Sequence, residues 1–334
     1  MAAKLDFCDV LLVPNVSDLN SRAEVVLERT FKFKNGNELT VLPLVASNMD
    51  TVGTFSMAKS FRNFNALVAL HKHYSDYVYV DNIFGEGINN VFFTVGIQED
   101  ERLRVKKCIR LPGTHKLLML DVANGYIPAL RESIQYYRET YPWLTICAGN
   151  VCSPEGVELL AKAGADIVKI GIGSGKMCNT RLKAGVGYPQ FSLIEDCYSA
   201  ADINGVYLMS DGGIENPGDI AKAFGAGADF VMLGSMLAGH DECEVKFHKE
   251  NDEEVMTCYG MSSATAMSKY HGGVASHRTC EGRTLSIKRK GPVAQTMKDI
   301  CGGLRSAGTY INAPSIDKFH ENAKFIQVNR QVNH

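Results

Sequence analysis

The sequence predicts an α/β fold, a closed (β/α)8 TIM barrel in which eight apolar strands alternate with helices. Short apolar runs rich in β-branched residues recur along the chain, and most segments between them have helical patterning. Strands that are apolar throughout are typical of a parallel sheet covered on both faces by helices. Eight such units in one chain favour a closed barrel, and the alternative is an open, doubly wound sheet.

The apolar runs that predict the strands are, in chain order, residues 41–46, 66–70, 91–95, 117–122, 145–148, 167–171, 206–209 and 230–233. Two of the helices between them are well marked. In residues 153–163, Ser153 is suited to the N-cap and Pro154 to the first helical position, and apolar residues follow at helical spacing. Residues 217–225 repeat this pattern and again begin with a proline.

A length of 334 residues fits one large α/β barrel or two ordinary domains. The eight strand–helix units favour one barrel domain that spans residues 1–334. The chain is 45% hydrophobic and 22% charged, as is typical of a soluble globular protein. Its net charge of −2 gives no basic field that would recruit nucleic acid or an acidic membrane surface. The N-terminus carries acids where a signal peptide needs an apolar core, and no apolar run approaches the roughly 20 residues of a membrane helix. We therefore expect a cytoplasmic protein that binds neither nucleic acid nor membrane.

The catalytic groups of such barrels lie on the loops that follow the strands. The loop after the sixth predicted strand has glycines at positions 171, 173 and 175, followed by Cys178, Thr180 and Arg181. Alternate glycines let the backbone approach a ligand closely. Cys178 is thus a candidate nucleophile, because a thiolate attacks electron-poor carbons directly. The ten cysteines include no Cys-x-x-Cys pair, which argues against a disulfide framework or a zinc site.

Polar, glycine-rich loops also follow the seventh and eighth predicted strands. Asp211 can accept hydrogen bonds from ligand hydroxyls, and Gly212 and Gly213 let backbone amides approach a phosphate. Gly234 and Ser235 stand at one of the usual phosphate-binding positions of this fold. Together these loops predict a site for a phosphorylated ligand.

The segment of residues 239–293 is too long for an ordinary loop and is rich in charge and glycine. On the catalytic side of a barrel such an insertion predicts a lid, and the alternative is a disordered or merely decorative excursion. Glu281 lies within this segment, where a lone glutamate is most often a solvated surface residue.

A set of short motifs is distributed over almost the whole chain. They lie at residues 6–12, 48–55, 120–126, 148–151, 185–190, 211–213, 218–223, 259–263 and 302–306, and in the Cys178 loop. Together they resemble the IMP dehydrogenase/GMP reductase family. Three features resemble the reductase branch. The regulatory CBS insertion common in dehydrogenases has no room after residues 71–74, the 121–126 motif has the reductase form, and the sequence around Glu281 lacks the dehydrogenase's Arg-Tyr pair.

The resemblance implies NADPH-dependent reductive deamination of GMP to IMP and ammonia, a step of purine nucleotide interconversion, through a thioimidate on Cys178. Thr180 and Glu281 would pass the proton that the leaving amine needs. The alternatives are an IMP dehydrogenase that lacks its CBS domain and a catalytically silent nucleotide-binding barrel. The silent barrel is disfavoured because Cys178, Thr180 and Glu281 are all present.

The resemblance also implies binding residues and a homotetramer. The expected substrate contacts are Asp211, Gly212, Gly213, Gly234, Ser235, Gly260, Met261, Ser262, Arg278 and Gly282. The expected NADPH contacts are Ser21, Arg22, Lys72, Asp121, Val122, Ala123, Ile172, Gly173, Met261, His277, Arg278, Ser306, Ala307, Gly308 and Thr309. A monovalent cation, K⁺, would bind at Gly173, Gly175, Cys178 and Arg181. The chain departs from the family pattern at Ser174 and Lys176, where proline and serine are usual. Lys176 would either bring its charge to the substrate phosphate or point away from it.

Overall fold

The structure is a computed structural model that describes residues 3–109, 116–276 and 279–329. Its strands, numbered in chain order, are β1 (Val10–Leu12), β2 (Arg29–Lys32), β3 (Glu38–Val41), β4 (Leu44–Ala46), β5 (Leu67–Ala69), β6 (Val91–Val95), β7 (Leu117–Asp121), β8 (Thr145–Val151), β9 (Ile167–Ile170), β10 (Tyr207–Asp211), β11 (Phe230–Leu233), β12 (His248–Glu250), β13 (Glu253–Tyr259), β14 (Thr284–Lys288) and β15 (Phe325–Gln327). Its α-helices are α1 (Phe55–Arg62), α2 (Asp76–Val80), α3 (Glu99–Cys108), α4 (Pro128–Thr140), α5 (Pro154–Ala163), α6 (Thr180–Lys183), α7 (Gln190–Asn204), α8 (Pro217–Ala226), α9 (Ala264–His271), α10 (Val293–Tyr310) and α11 (Phe319–Asn322).

Strands β4 to β11 form a closed parallel barrel. Each of them pairs with the next along the chain, and β11 pairs with β4 to close the ring. Helices alternate with these strands and cover the outside of the barrel. The predicted (β/α)8 barrel is confirmed, and the doubly wound alternative is excluded because the sheet has no open edge.

Most predicted elements lie where the sequence places them. The predicted strands 91–95 and 230–233 agree residue for residue with β6 and β11. Ser153 is the N-cap of α5 and accepts a hydrogen bond from the backbone N–H of Gly156 at 3.2 Å, as predicted. The predicted run 41–46 is instead divided, because Val41 ends β3 in an antiparallel hairpin with β2 and β4 begins only at Leu44.

Alternate residues of each barrel strand point into the barrel, where they form a core of their own. Its members include Val45 from β4, Met119 from β7, Ile167 from β9 and Phe230 from β11. The β2–β3 hairpin closes one end, where Phe31 stacks on Phe230 with ring centroids 4.2 Å apart. Because apolar side chains fill this end, a ligand can enter only at the opposite end, where the strands finish.

The segment of residues 239–293 folds at that opposite end. It contains the antiparallel sheet β12-β13-β14 and the helix α9, and α10 begins at its end with Val293. Buried residues of β13, among them Met256 and Cys258, join the main hydrophobic core. The segment is thus packed onto the barrel. Among the helices of the described residues, none combines the length and apolar character needed to cross a bilayer.

Candidate active site

The open end of the barrel contains a cavity of about 430 Å³. It is lined by loops that follow the strands and by part of the 239–293 segment. Residues from every predicted set meet in its wall. These are the candidate catalytic residues Cys178, Thr180 and Glu281, the candidate substrate contacts Asp211, Gly212, Gly213, Gly234, Ser235, Gly260, Met261, Ser262 and Gly282, and the candidate cofactor contacts Lys72, Asp121, Val122, Ala123, Ile172, Gly173 and Met261.

The three candidate catalytic side chains form one hydrogen-bonded chain. The Cys178 thiol donates to Thr180 Oγ1 at 3.1 Å, and the Thr180 hydroxyl donates to Glu281 Oε2 at 2.7 Å. All three side chains are partly exposed to the cavity. A thiol proton can therefore pass through the hydroxyl to the carboxylate, which is the arrangement that an activated cysteine nucleophile needs.

Backbone pairing brings Glu281 to a cysteine that lies more than a hundred residues earlier. Cys178 and Gly282 form an antiparallel bridge, and the Asn179 N–H donates to the Glu281 carbonyl at 2.6 Å. On its other side, the Glu281 N–H donates to the Ser262 carbonyl at 3.1 Å. A Cβ at Gly282 would lie 2.6 Å from the Ser263 nitrogen, so only glycine allows this close approach.

The loop that carries Cys178 turns sharply after β9. Gly171 has φ +141° and Gly173 has φ +80°, conformations that side chains disfavour. A Cβ at Gly171 would lie 2.0 Å from the Asp211 carbonyl oxygen, so this glycine lets the loop pass against the end of β10. Further along the loop, Ser174 donates to Gln190 Oε1 at 2.8 Å, and Lys176 lines the cavity.

A layer of charge lies above the apolar interior of the barrel. Lys169 of β9 is 2% exposed, and its Nζ lies 2.7 Å from Asp121 Oδ1 and 2.7 Å from Asp211 Oδ2. Burial by itself would lower the pKa of Lys169, but the two aspartates raise it well above its usual range. The same lysine lowers the pKa of Asp121, against the effect of burial. Lys169 and Asp121 are thus charged together at neutral pH.

Lys169 belongs to none of the motifs that predict the site. Its position gives the only signal, since it is a lone lysine inside the apolar run 167–171. It alternates with Ile167 and so points into the barrel. Gly149 on the neighbouring strand leaves room for it, because a Cβ there would lie 2.8 Å from that of Lys169.

His71 and His73 follow β5 in a His-Lys-His pattern. His73 lines the cavity, and its ring stacks on that of Tyr270 with centroids 3.4 Å apart. Burial lowers the pKa of each imidazole to about 4. Both rings are therefore neutral at pH 7.

The remaining candidate cofactor contacts lie outside this cavity. Ser21 and Arg22 belong to a short 3-10 turn that packs against α10, which carries Ser306, Ala307, Gly308 and Thr309. Helix α10 packs on α8 and α1, beside β11 and β4, whereas Asp121 ends β7 on the far side of the ring. One copy of the chain thus holds two separate groups of candidate cofactor contacts. His277 and Arg278 lie outside the described residues.

The candidate cation site lies in the Cys178 loop. The candidate ligands Gly173, Gly175 and Cys178 lie in this loop, where the Gly175 carbonyl accepts the Cys178 N–H at 2.9 Å, and Arg181 follows in α6. Carbonyl oxygens are hard donors that suit an alkali cation. The Arg181 guanidinium points elsewhere and donates to Asp6 Oδ2 at 2.9 Å. In the part of the chain that the structure describes, no group of three or more His, Cys, Asp or Glu side chains is arranged to hold a metal.

Comparison with known proteins agrees with this geometry. A family model described as "IMP dehydrogenase / GMP reductase domain" matches residues 85–333. The GMP reductase of Edwardsiella ictaluri (strain 93-146) is 46% identical over 334 residues, which cover 99% of this chain and 96% of the relative. The GMP reductases of Escherichia coli O81 (strain ED1a) and Escherichia coli (strain K12 / DH10B) match with the same identity and coverage. The chain belongs to the IMP dehydrogenase/GMP reductase family.

Proposed function

We propose that this protein converts GMP to IMP and ammonia with NADPH as the reductant, and so acts in purine nucleotide interconversion. The observation that carries the proposal is the hydrogen-bonded chain of Cys178, Thr180 and Glu281 in the barrel cavity. The relatives named GMP reductase, similar over nearly the whole chain, support it.

The cavity has a separate group of residues for each part of GMP: the phosphate, the ribose and the purine. Backbone of residues 212–213 and 234–235, three of which are glycines, accommodates the phosphate, and Lys176 lies in the same wall. Asp211 engages Lys169 and Asn150 through Oδ2, which leaves Oδ1 to accept from a ribose hydroxyl. Residues 260–262 face the purine, whose C2 is then directed toward Cys178.

In the first half of the reaction, the proton of the Cys178 thiol moves to the leaving amine. Thr180 accepts that proton and Glu281 receives it in turn, which leaves a thiolate. The sulfur bonds to C2 of guanine, and Glu281 returns the proton through Thr180 to the exocyclic amino group. The C2–N bond then breaks and ammonia departs, so a thioimidate remains on Cys178.

In the second half, the purine loses its bond to sulfur. NADPH supplies a hydride to C2 when it is bound. The C2–S bond breaks, IMP is released, and a proton from solvent restores the Cys178 thiol. In total, GMP, NADPH and two protons give IMP, NADP⁺ and an ammonium ion. The sequence has no Arg-Tyr pair beside Glu281 to activate water, which favours reduction over hydrolysis.

The residues of the cavity fit NADPH in part. Asp121, Val122 and Ala123 offer a carboxylate and backbone groups, and Lys72 offers a cation for the extra phosphate. The candidate cofactor contacts on α10 and at Arg22 lie on another part of the surface. We therefore propose that a neighbouring copy of the chain supplies these contacts to the NADPH in this cavity. This arrangement supports an oligomer, and the resemblance to the family implies a homotetramer. Equal kcat/KM for NADH and NADPH would contradict the proposed recognition of the extra phosphate.

Three further features belong to the proposal. The carbonyls of the Cys178 loop would hold K⁺ and so stiffen the loop that carries the nucleophile. The 239–293 segment would act as a lid, since it contributes residues 260–262, Glu281 and Gly282 to the cavity wall. We also propose a cytoplasmic location, which is supported by ten cysteines that are all free.

Absorbance of the reduced nicotinamide tests the function directly. We expect a decrease when purified protein meets GMP and NADPH, with IMP and ammonia as products. An increase with IMP and NAD would instead indicate an IMP dehydrogenase, and no change with either pair would indicate a silent nucleotide-binding barrel. Cys178→Ala should bind GMP without turnover, whereas Cys280→Ala, at a cysteine outside the cavity, should remain active.

A further inference from the structure

Asp50 is a buried carboxylate beside the cavity that the proposed chemistry does not use. It lies in the loop after β4, and its side chain is 2% exposed. Its Oδ2 accepts hydrogen bonds from the Tyr259 hydroxyl at 2.6 Å, from Lys269 Nζ at 3.0 Å and from the Tyr270 hydroxyl. Its Oδ1 is buried without a hydrogen-bond partner among the described residues, so the contacts converge on one oxygen.

All three donors belong to the 239–293 segment. Tyr259 ends β13, and Lys269 and Tyr270 lie in α9. Lys269 Nζ also donates to the Tyr259 hydroxyl at 3.0 Å, which joins the strand to the helix. A single carboxylate of the barrel therefore fastens two elements of the segment.

The carboxylate is charged at neutral pH in spite of its burial. Burial alone would raise the pKa of Asp50, but the hydrogen bonds from Tyr259, Tyr270 and Lys269 lower it below the usual range. Hydrogen bonds to an ionised acceptor are roughly twice as strong as neutral ones. The contacts therefore favour the position that the 239–293 segment has in the structure, against the cavity.

The fastened residues continue directly into the active site. Tyr259 precedes residues 260–262 of the cavity wall, and Tyr270 stacks on His73 in the same wall. The Ser262 carbonyl accepts the Glu281 N–H at 3.1 Å, and Glu281 accepts from Thr180. A shift of the segment would therefore move Glu281 away from the nucleophile.

We propose that Asp50 is a positioning residue for the reaction, which fastens the 239–293 segment to the barrel and thereby sets the place of residues 260–262 and Glu281. Asp50 is not among the described residues that line the cavity, so it would act through the residues that it holds. The inference rests on the proposed function, because the effect on turnover requires Glu281 to be the proton carrier.

Three substitutions test this role at different points. Asp50→Asn keeps an acceptor and removes the charge, and Tyr270→Phe keeps the ring stacked on His73 and removes the hydroxyl donor. Lys269→Met acts on a side chain that is 54% exposed, so it reports on the contact even if Asp50→Asn does not fold. The matched control is Glu253→Gln, a carboxylate of β13 that is 50% exposed and pairs with Lys288.

Hydrogen exchange and steady-state kinetics should be measured on the full chain. In all three variants, amides of residues 259–270 and 281–283 should exchange about tenfold faster or more, and those of β6 and β7 should be unchanged. The variants should also show about tenfold lower kcat and a higher KM for GMP, and Glu253→Gln should match the wild type in both measurements.

Different results would refute the role of Asp50 and the proposed function. If exchange in residues 259–270 matches the wild type in all three variants, the role of Asp50 is overturned, whether or not the protein has the proposed activity. Faster exchange spread over the whole barrel would also overturn it, because that result indicates a general loss of stability. A wild-type protein without GMP-dependent NADPH oxidation would refute the proposed function, while the exchange data would still test the contact.

Discussion

Replacing Lys169 with methionine removes the positive charge at the mouth of the barrel and keeps most of the aliphatic chain. The wild-type ammonium lies 2.7 Å from one oxygen each of Asp121 and Asp211. Those two oxygens are therefore at most twice that distance apart. Without the lysine, two carboxylates face one another across a small gap, and Asn150 remains as a donor to Asp211.

The expected loss of stability follows from this geometry. Two like charges about 5 Å apart repel by about 3 kcal/mol at an effective dielectric constant of about 20. Removing one partner of a buried ion pair costs roughly 3–5 kcal/mol. Asp121 and Asp211 are 34% and 26% exposed, so solvent screening favours the low end of that range. We therefore expect Lys169→Met to lower the free energy of unfolding by about 3 kcal/mol at pH 7.5.

Thermal unfolding at a fixed protein concentration measures this loss. For a chain of 334 residues the unfolding entropy is about 0.7 kcal/mol/K, so 3 kcal/mol corresponds to a decrease in Tm of about 4 °C. The triple variant with Asp121→Asn and Asp211→Asn should regain most of that decrease, because no unpaired carboxylate remains. Lys162→Met, which removes an exposed lysine paired with Glu158, is the control and should unfold near the wild-type temperature.

The dependence on pH gives a second check. In the wild type the lysine lowers the pKa of Asp121, so this contribution to stability is present above the usual carboxyl pKa and is lost as pH falls through the lowered value. In Lys169→Met the unpaired carboxylates take up protons more readily. The loss of stability relative to the wild type should therefore be smaller at pH 5 than at pH 7.5. A variant that unfolds within 1 °C of the wild type at pH 7.5, or a triple variant as unstable as the single one, would refute the reasoning.

Further predictions concern the proton carriers, the phosphate and the histidines. Thr180→Val and Glu281→Gln should each lower kcat by roughly 10²–10⁴, with a combined effect that is less than multiplicative because both serve one proton transfer. Normal turnover by Glu281→Gln would exclude its role. Lys176→Ser should raise the KM for GMP about tenfold and leave kcat within twofold, if its charge reaches the phosphate; an unchanged KM would show that it points away. His71 and His73 should titrate near pH 4 in imidazole NMR spectra, and stability should fall as pH drops from about 6.5 to 4, since the unfolded chain binds protons there that the folded chain does not. Titration of both near 6.5 would contradict this.

The proposed active site combines local signals with a long-range arrangement. Cys178 was identified from its own loop, because alternate glycines after a buried strand are visible over a few residues. Glu281 had no such signal, and only the resemblance to a family gave it a role. Its contact with Thr180 depends on backbone pairing between residues 178 and 282, which no spacing along the chain indicates.

The sequence predicts the barrel, because a parallel strand that is buried on both faces is apolar along its whole length. It also determined helix starts such as Ser153, since capping is a local interaction. Tertiary structure alone decided which polar residues meet. Lys169 contacts Asp121 and Asp211 because β9 lies two strands from β7 and next to β10 in the closed ring. Asp50 contacts Tyr259 and Tyr270 because the 239–293 segment folds back over the first barrel strand. Such contacts join residues that are far apart in the chain, so no periodic pattern in the sequence predicts them.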